Sequence, residues 1–303
     1  MSFSKPLSYE PLISVLAHID AGKRFEISQK MPTVQKTEKL VPLKIDKFAF
    51  SYRAFTVNET AYDMKSTIKR RNTFRNKFRN QAYICLAING IAIEYLEYHP
   101  ARVQRSSEYL MSLFFGGRSD PILVNQLTFD ASQSLTWLKN AKLRIQHLTT
   151  RSSIRKTLRK LSVVLTNSSF PLQSLKIFAD YSTAAEFRDE IVQKARKVEI
   201  LYNSRSVFTI ADFVALIRHW KVFGAAPGRR CSVELSNNIN DELFGELAMR
   251  NIQVQFDVVK EDGVLTIPIN QSSEVRVSRI YDGPQDINSK LMSILVLEVV
   301  AKM

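Results

Sequence analysis

The chain has 303 residues, 45% of them hydrophobic, 24% charged and 10% aromatic, with a formal net charge of +14. That composition supports a substantial core and excludes a collagen-like or disordered chain. Two cysteines, Cys85 and Cys231, exclude a disulfide framework and a four-cysteine zinc site, and no apolar run reaches the roughly 18 residues of a membrane-spanning helix.

Residues 1–45 read as a cluster of short helices. Leu12, Val15, Leu16 and Ile19 fall at helical spacing behind Pro11, which a first helical turn tolerates. Asp20–Ala21–Gly22 reads as a break, and Pro32 and Pro42 bound a further short segment. Residues 44–64 change period: Ile45, Phe48, Phe50, Phe55 and Val57 predict short strands joined by a turn. The apolar stretch 83–98 has Asn89–Gly90 inside it. It reads either as a hairpin turning at Asn-Gly or as a buried helix broken at glycine, and strands are preferred. Residues 101–115 read as a helix ended by Gly116–Gly117.

From residue 121 a strand–helix theme recurs. Expected strands are 123–129, 143–148, 174–180, 197–202 and 230–235, each followed by a helical segment. A last strand pair is expected around Asp262–Gly263. Leu175 to Val198 spans 23 positions, within the leucine-rich-repeat range, but Val198 to Val233 spans 35, outside it. The predicted fold is therefore α/β: an N-terminal helical cluster, then an irregular strand–helix repeat forming a leucine-rich-repeat-like open curved sheet. A compact α/β sandwich is the alternative. The expected divisions are 1–45 (helical), 46–120 (mixed, with a basic run) and 121–303 (repeat-like).

Charge is unevenly placed. Residues 1–64 carry a net +2, residues 65–79 seven bases and no acid, residues 80–160 a net +6, and residues 161–303 a net −1. An excess so placed draws anionic partners without naming them. Within the run, Lys69, Arg70, Arg71, Arg75, Lys77 and Arg79 are candidate anion-binding residues, dense enough to hold phosphate groups. Phe74 could stack a base. The same run also suits a merely solvated face, and it matches no homeodomain, zinc-finger or RNA-recognition signature.

No GxSxG, HExxH, GxxxxGK[ST] or GxGxxG motif occurs. His18, His99, His147 and His219 lie far apart and read as structural histidines, while Cys85 and Cys231 read as small buried hydrophobes. Trp220 and Phe223 are expected in the core, closing a helix–strand junction, with Gly224 and Gly228 in turns. No catalytic residue, metal site or cofactor is expected. No secretory n-region and h-region opens the sequence, so a cytoplasmic or nuclear location is expected.

The opening carries a further signal. Pro6–Leu7–Ser8–Tyr9, Leu16, Lys23–Arg24, Ile27–Ser28 and Met31–Pro32, followed by blocks 108–129 and 213–235 in the same order, resemble a nematode-expanded family of F-box-like and F-box-associated proteins. The F-box-like segment is degenerate: Ser8–Tyr9 stand where an acidic start is usual. The resemblance implies a non-enzymatic protein-binding module. Its N-terminal helices would meet a cullin-linked adaptor of a ubiquitin ligase, with Leu12 and Leu16 at or behind that contact. The C-terminal part would recognise a substrate. A nucleic-acid- or polyanion-binding protein using residues 65–79 is the alternative from a different class, and an enzyme assembled from scattered residues is the third.

Overall fold

Proline and aspartate punctuate the start of the chain as their chemistry requires. The computed structural model describes residues 9–50, 54–70, 80–88, 91–97, 111–112, 114–130, 138, 141–178, 195–201, 210–236, 245, 259–261, 263–282 and 292–302. Three helices come first: α1 (Tyr9–His18), α2 (Ala21–Lys30) and α3 (Pro32–Leu40). Asp20 caps α2, its Oδ1 accepting the N–H groups of Gly22 at 2.8 Å and Lys23 at 3.3 Å. Pro32 sits in the first turn of α3, where its missing N–H costs nothing. Leu16, Val34 and Val41 form a small core, with Leu12, Ile13 and Ile27 packed against it.

The chain folds as two units, Met1–Gln146 with Arg159–Ser169, and His147–Leu158 with Phe170–Met303. The divisions expected after residues 45 and 120 both fall inside the first.

In the first unit, β1 (Lys44–Phe50), β2 (Ala54–Val57), β3 (Thr60–Arg70), β4 (Asn80–Ile88), β5 (Ile91–Glu97) and β6 (Ile122–Phe129) pair in the order β6-β1-β2-β3-β4-β5. Strands β6 and β1 run parallel, and β1 to β5 form an antiparallel meander. The β4–β5 pairing, with Ile88 opposite Ile91, makes residues 83–88 and 91–97 paired antiparallel strands rather than a broken helix; Asn89 and Gly90 lie outside the described residues. Asn58 turns β2 into β3 with a φ of 54°, a conformation asparagine tolerates better than most residues. Its side chain then does three things. Oδ1 accepts the N–H groups of Asp46 at 2.9 Å and Lys47 at 3.1 Å, and Nδ2 donates to Asp20. One turn residue thus ties a hairpin, a neighbouring strand and a helix cap together.

An aromatic core joins the helices to this sheet. Phe25 of α2 stacks on Phe114 at 4.6 Å between ring centroids and meets Tyr62 of β3 edge-on at 5.9 Å. Tyr62 stacks in turn on Phe55 at 4.8 Å. Such pairs contribute about 0.5–1.5 kcal/mol each beyond the area they bury. The helix carrying Phe114 stops at Gly116–Gly117, as expected. Gly117 has a φ of 72°, and a Cβ on Gly116 would collide with the Ser112 carbonyl.

Strand β7 (Leu143–Thr150) gives its first four residues to the first unit and its last four to the second. Helix α4 (Ile154–Leu161) follows it. The second unit then contains β8 (Ser174–Phe178), β9 (Lys197–Leu201), α5 (Ile210–Phe223), β10 (Arg230–Ser236), β11 (Val259–Glu261), β12 (Val264–Pro268), β13 (Ser273–Asp282) and β14 (Met292–Ala301). Strands β7, β8, β9 and β10 are parallel neighbours, as the strand–helix alternation predicts. Leu175 and Ile177 share one buried side, as do Val198 and Ile200. The β11–β12 pair turns at Gly263 with a φ of 74°. The helices expected at 131–141, 182–195 and 239–250 lie almost wholly outside the described residues.

The described strands do not form a clear leucine-rich-repeat-like sheet. Beyond β10 the second unit continues antiparallel, through β14, β13, β12 and β11. The reason is local. A repeat needs a crossover after every strand, but β11 to β14 are joined without one, and short connections make antiparallel neighbours. Leu295, Val296 and Leu297 are all buried in succession, so β14 is covered on both faces. The fold class is mixed α/β.

Ile177 has no exposed surface at the centre of the parallel run. Ile177→Ala should destabilise the second unit by about 2–5 kcal/mol. Urea unfolding followed by circular dichroism would show this as a lower midpoint for that unit.

Candidate interaction surfaces

The last turn of α3 leaves carbonyl groups without intrahelical partners, and two arginines supply them. Arg24 of α2 donates through Nη1 to Pro42 O at 3.0 Å, and through Nη2 to Glu38 O at 3.1 Å and Val41 O at 3.0 Å. Arg118 donates through Nη1 to the same Glu38 O and Val41 O at 3.2 and 3.1 Å. Both guanidinium groups also reach the Glu38 carboxylate, Arg24 at 3.1 Å. Lys39 stands beside them and donates to Phe114 O at 3.1 Å. Three cations therefore surround one buried carboxylate.

Burial sets the energetics here. It lowers the Arg24 pKa, with Glu38 opposing and Arg118 adding to the fall. Lys39 is pushed down to about 8 by burial first and then by Arg118. The Nε atoms of Arg24 and Arg118 are buried without hydrogen-bond partners. This constellation is an anchor: the bonds just described close the end of α3 or tie the short helices to residues 114–118. Arg24, one of the residues that carries the F-box-like resemblance, is thus a structural residue. Sequence reading missed the network because Glu38 and Arg118 lie 80 positions apart.

The sequence-derived candidates fall in different places. Leu16 is 1% exposed, inside the α1–α3 core, and Leu12 is half-buried against it. Leu16 can support a contact but not make one. Apolar side chains do reach the surface nearby: Tyr9, Val15, Met31 and Leu40 are exposed. Of the basic run, Lys69 and Arg70 end β3, opposite Gln81 and Asn80 of β4. Arg71, Arg75, Lys77 and Arg79 lie outside the described residues, as does Phe74.

Trp220 is buried, as expected, but Phe223 is not. It is 72% exposed beside Val222 at 75%. Helix α5 turns its buried side through Phe213, Ile217 and Trp220. Phe223 falls three residues after Trp220, yet the helix is ending there and Gly224 turns away with a φ of 69°. Its ring meets only His219 among the described aromatic contacts, at 4.4 Å. His147 Nδ1 lies 2.7 Å from Ser174 Oγ, and His18 Nδ1 lies 2.8 Å from Ser14 O. Among the described residues no group of histidine, cysteine and carboxylate side chains is arranged to hold a metal ion. Cys231 is buried, and burial pushes its thiol up to about 12.

A second basic segment went unread in the sequence. Residues 131–179 contain nine bases and no acid, a signal that counting in wider windows dilutes. Five of the nine lie between Arg151 and Lys160. Ile154, Thr157, Leu158 and Leu161 of α4 are buried, whereas Arg155, Lys156 and Arg159 are exposed. Arg155 and Arg159 form an i, i+4 like-charge pair, a placement that costs about 0.2–0.5 kcal/mol. Cations in a first helical turn add to that cost through the helix dipole, and α4 has no acid in its first turn. Arg151, just before the helix, places its guanidinium 5.2 Å from the Phe178 ring centroid.

Residues 102–237 match the model of a family described as a domain of unknown function (DUF3557). That match includes Phe114, Arg118, β6 to β10, α4 and α5. No curated protein and no solved structure matches the chain.

Lys39 makes the anchor pH-sensitive. Its folded pKa of about 8 lies below the ordinary lysine value of about 10.4. Between those values the unfolded chain holds a proton that the folded chain has lost, so stability from this group rises with pH. Cys231 acts oppositely above about pH 8.5, because its folded thiol stays protonated while an unfolded one ionises. Comparing the native protein with Lys39→Met isolates the lysine. The stability gap between them should shift in favour of the native chain from about pH 7.5 to 9.5, read from urea midpoints.

Proposed function

We propose that this chain is a non-enzymatic protein-interaction module, and within that class a substrate receptor of a cullin-type ubiquitin ligase. One observation carries the interaction reading. Of eight large hydrophobic side chains exposed among the described residues, four (Tyr9, Val15, Met31 and Leu40) belong to the short helical segment α1–α3. Exposed apolar side chains gathered in one segment are a feature of interaction sites, whereas single scattered ones need no explanation. The F-box-like resemblance supports the choice of partner, a cullin-linked adaptor meeting the N-terminal helices.

Within that proposal the side chains of α1 take different roles. Leu16 supports α1 from the core, Leu12 lies between core and surface, and Val15 offers the contact. Because α2 is anchored through Arg24 and Phe25, the helices would present a fixed surface, and less ordering entropy would be lost on binding. The strand–helix part of the second unit is the proposed substrate-recognition region. No helix among the described residues is long and apolar enough to cross a membrane.

A direct binding assay with purified adaptor tests the proposal. The native chain should bind with a Kd at or below about 10 μM, near −7 to −8 kcal/mol. Val15→Asp should weaken binding at least about tenfold while moving stability by no more than about 0.5 kcal/mol, since the side chain is exposed. Absence of a complex at that concentration would remove the receptor role and leave the fold untouched.

A further inference from the structure

Helix α4 has a finished inner face and an unfinished outer one. Ile154, Leu158 and Leu161 are buried, so its apolar side is already used. On the other side Arg155, Lys156 and Arg159 are exposed. No ion pair among the described residues engages any of the three. Arg151 extends the same basic segment from the loop before the helix, and what holds it is an aromatic ring, Phe178, rather than a carboxylate. A guanidinium stacked through its face keeps its N–H edge for an acceptor.

We propose that this face binds the phosphodiester backbone of a nucleic acid. Three features select that partner. The segment is uniformly cationic, with no acid between Asp130 and Asp180, so it complements a polyanion rather than a mixed surface. Its apolar residues are committed to the core, which leaves α4 nothing to insert into a lipid bilayer; interfacial helices need that free apolar face. Residues four apart on a helix advance about 6 Å. Neighbouring phosphates of one duplex strand, which climb about 3.4 Å along the axis while winding around it, lie about 7 Å apart, so Arg155 and Arg159 can meet neighbouring phosphates.

Arg159 and Lys160 suit the last turn of the helix, but Arg155 and Lys156 oppose its dipole in the first turn, and Arg155 meets a like charge four residues on. Such a local conflict is expected where function, not folding, sets the residues. Contacts of this kind position a nucleic acid without reading its bases, so the expected preference among sequences is slight. The two proposals rest on different residues, so failure of this one would not bear on adaptor binding.

Fluorescence anisotropy of the intact chain tests the proposal, using a labelled duplex DNA and a single-stranded RNA of about 20 nucleotides. On the duplex, four phosphate contacts predict a salt slope near −3.6, hence a loss of about a hundredfold in affinity between about 50 and 200 mM salt; on the single strand the slope is about −2.8. The triple variant Arg155→Gln, Lys156→Gln, Arg159→Gln should flatten the slope by roughly three units, leaving about a fourfold loss. A charge-preserving variant, Arg155→Lys with Arg159→Lys, should keep the native slope and guards against a folding defect. The variant Arg70→Gln, Arg71→Gln, Arg75→Gln should leave most of the slope in place. The proposal is overturned if the α4 triple variant titrates like the native chain on both probes. It is equally overturned if the slope follows the 70/71/75 variant instead. It also fails if the α4 substitutions reduce binding only to polyglutamate or to phosphatidylserine vesicles, since the partner would then be an acidic protein or a membrane.

Discussion

One buried carboxylate, shared by two guanidinium groups, holds the beginning of this protein to the rest of its first unit. Glu38 offers both its side chain and its backbone carbonyl, and Arg24 and Arg118 take both. Removing one member of a buried charge group commonly costs about 3–5 kcal/mol, because the remaining charges stay buried and unpaired. Here the cost would be asymmetric. Loss of Glu38 leaves three cations together, whereas loss of an arginine still leaves the carboxylate paired. Phe25 adds an apolar tie beside the polar one by stacking on Phe114. The short helices are therefore part of the sheet's core rather than an appendage to it, and any partner meeting Val15 or Met31 meets an ordered surface.

The second unit obeys a different constraint. Four parallel strands need crossovers, and among the described residues α4 lies in the one from β7 to β8 and α5 in the one from β9 to β10; the antiparallel strands that follow need none. Both halves of this arrangement bury alternating aliphatic side chains, with Leu175, Ile177, Val275 and Val277 among the fully covered ones. What remains at the surface is selective. Phe223 and Val222 stand exposed where α5 ends, and the outer side of α4 is cationic. Helix stability does not explain the like charges of α4, since a mixed-charge face would be more stable.

Much of the fold was legible because its signals are local. Asp20, Pro32 and the Leu12–Leu16 spacing mark three helices. The alternation Leu175–Ile177 and Val198–Ile200 marks buried strands, and Asn89–Gly90 marks a hairpin. Less was legible where distant residues decide. Nothing near Glu38 announces Arg118. Nothing in residues 230–235 announces that β14, some sixty positions later, would pair beside them and end the parallel run. Phe223 misled because helical spacing predicts which side a residue takes, but not that the helix has run past the core. The basic run at 65–79 drew attention through density, while the longer acid-free stretch containing α4 was hidden by its lower density. Its significance comes from burial of the opposite face, which only the fold supplies.

Hydrogen exchange of the native chain against Arg118→Met measures the central claim most directly. Arg118 is remote in sequence from α3, so a local effect cannot mimic a tertiary one. The account predicts faster exchange across residues 32–41, with spread into α2, and no change in the amides of β12 to β14. Unchanged protection in α3 would contradict it, because the helix end would then be held by something other than the shared carboxylate and its two arginines.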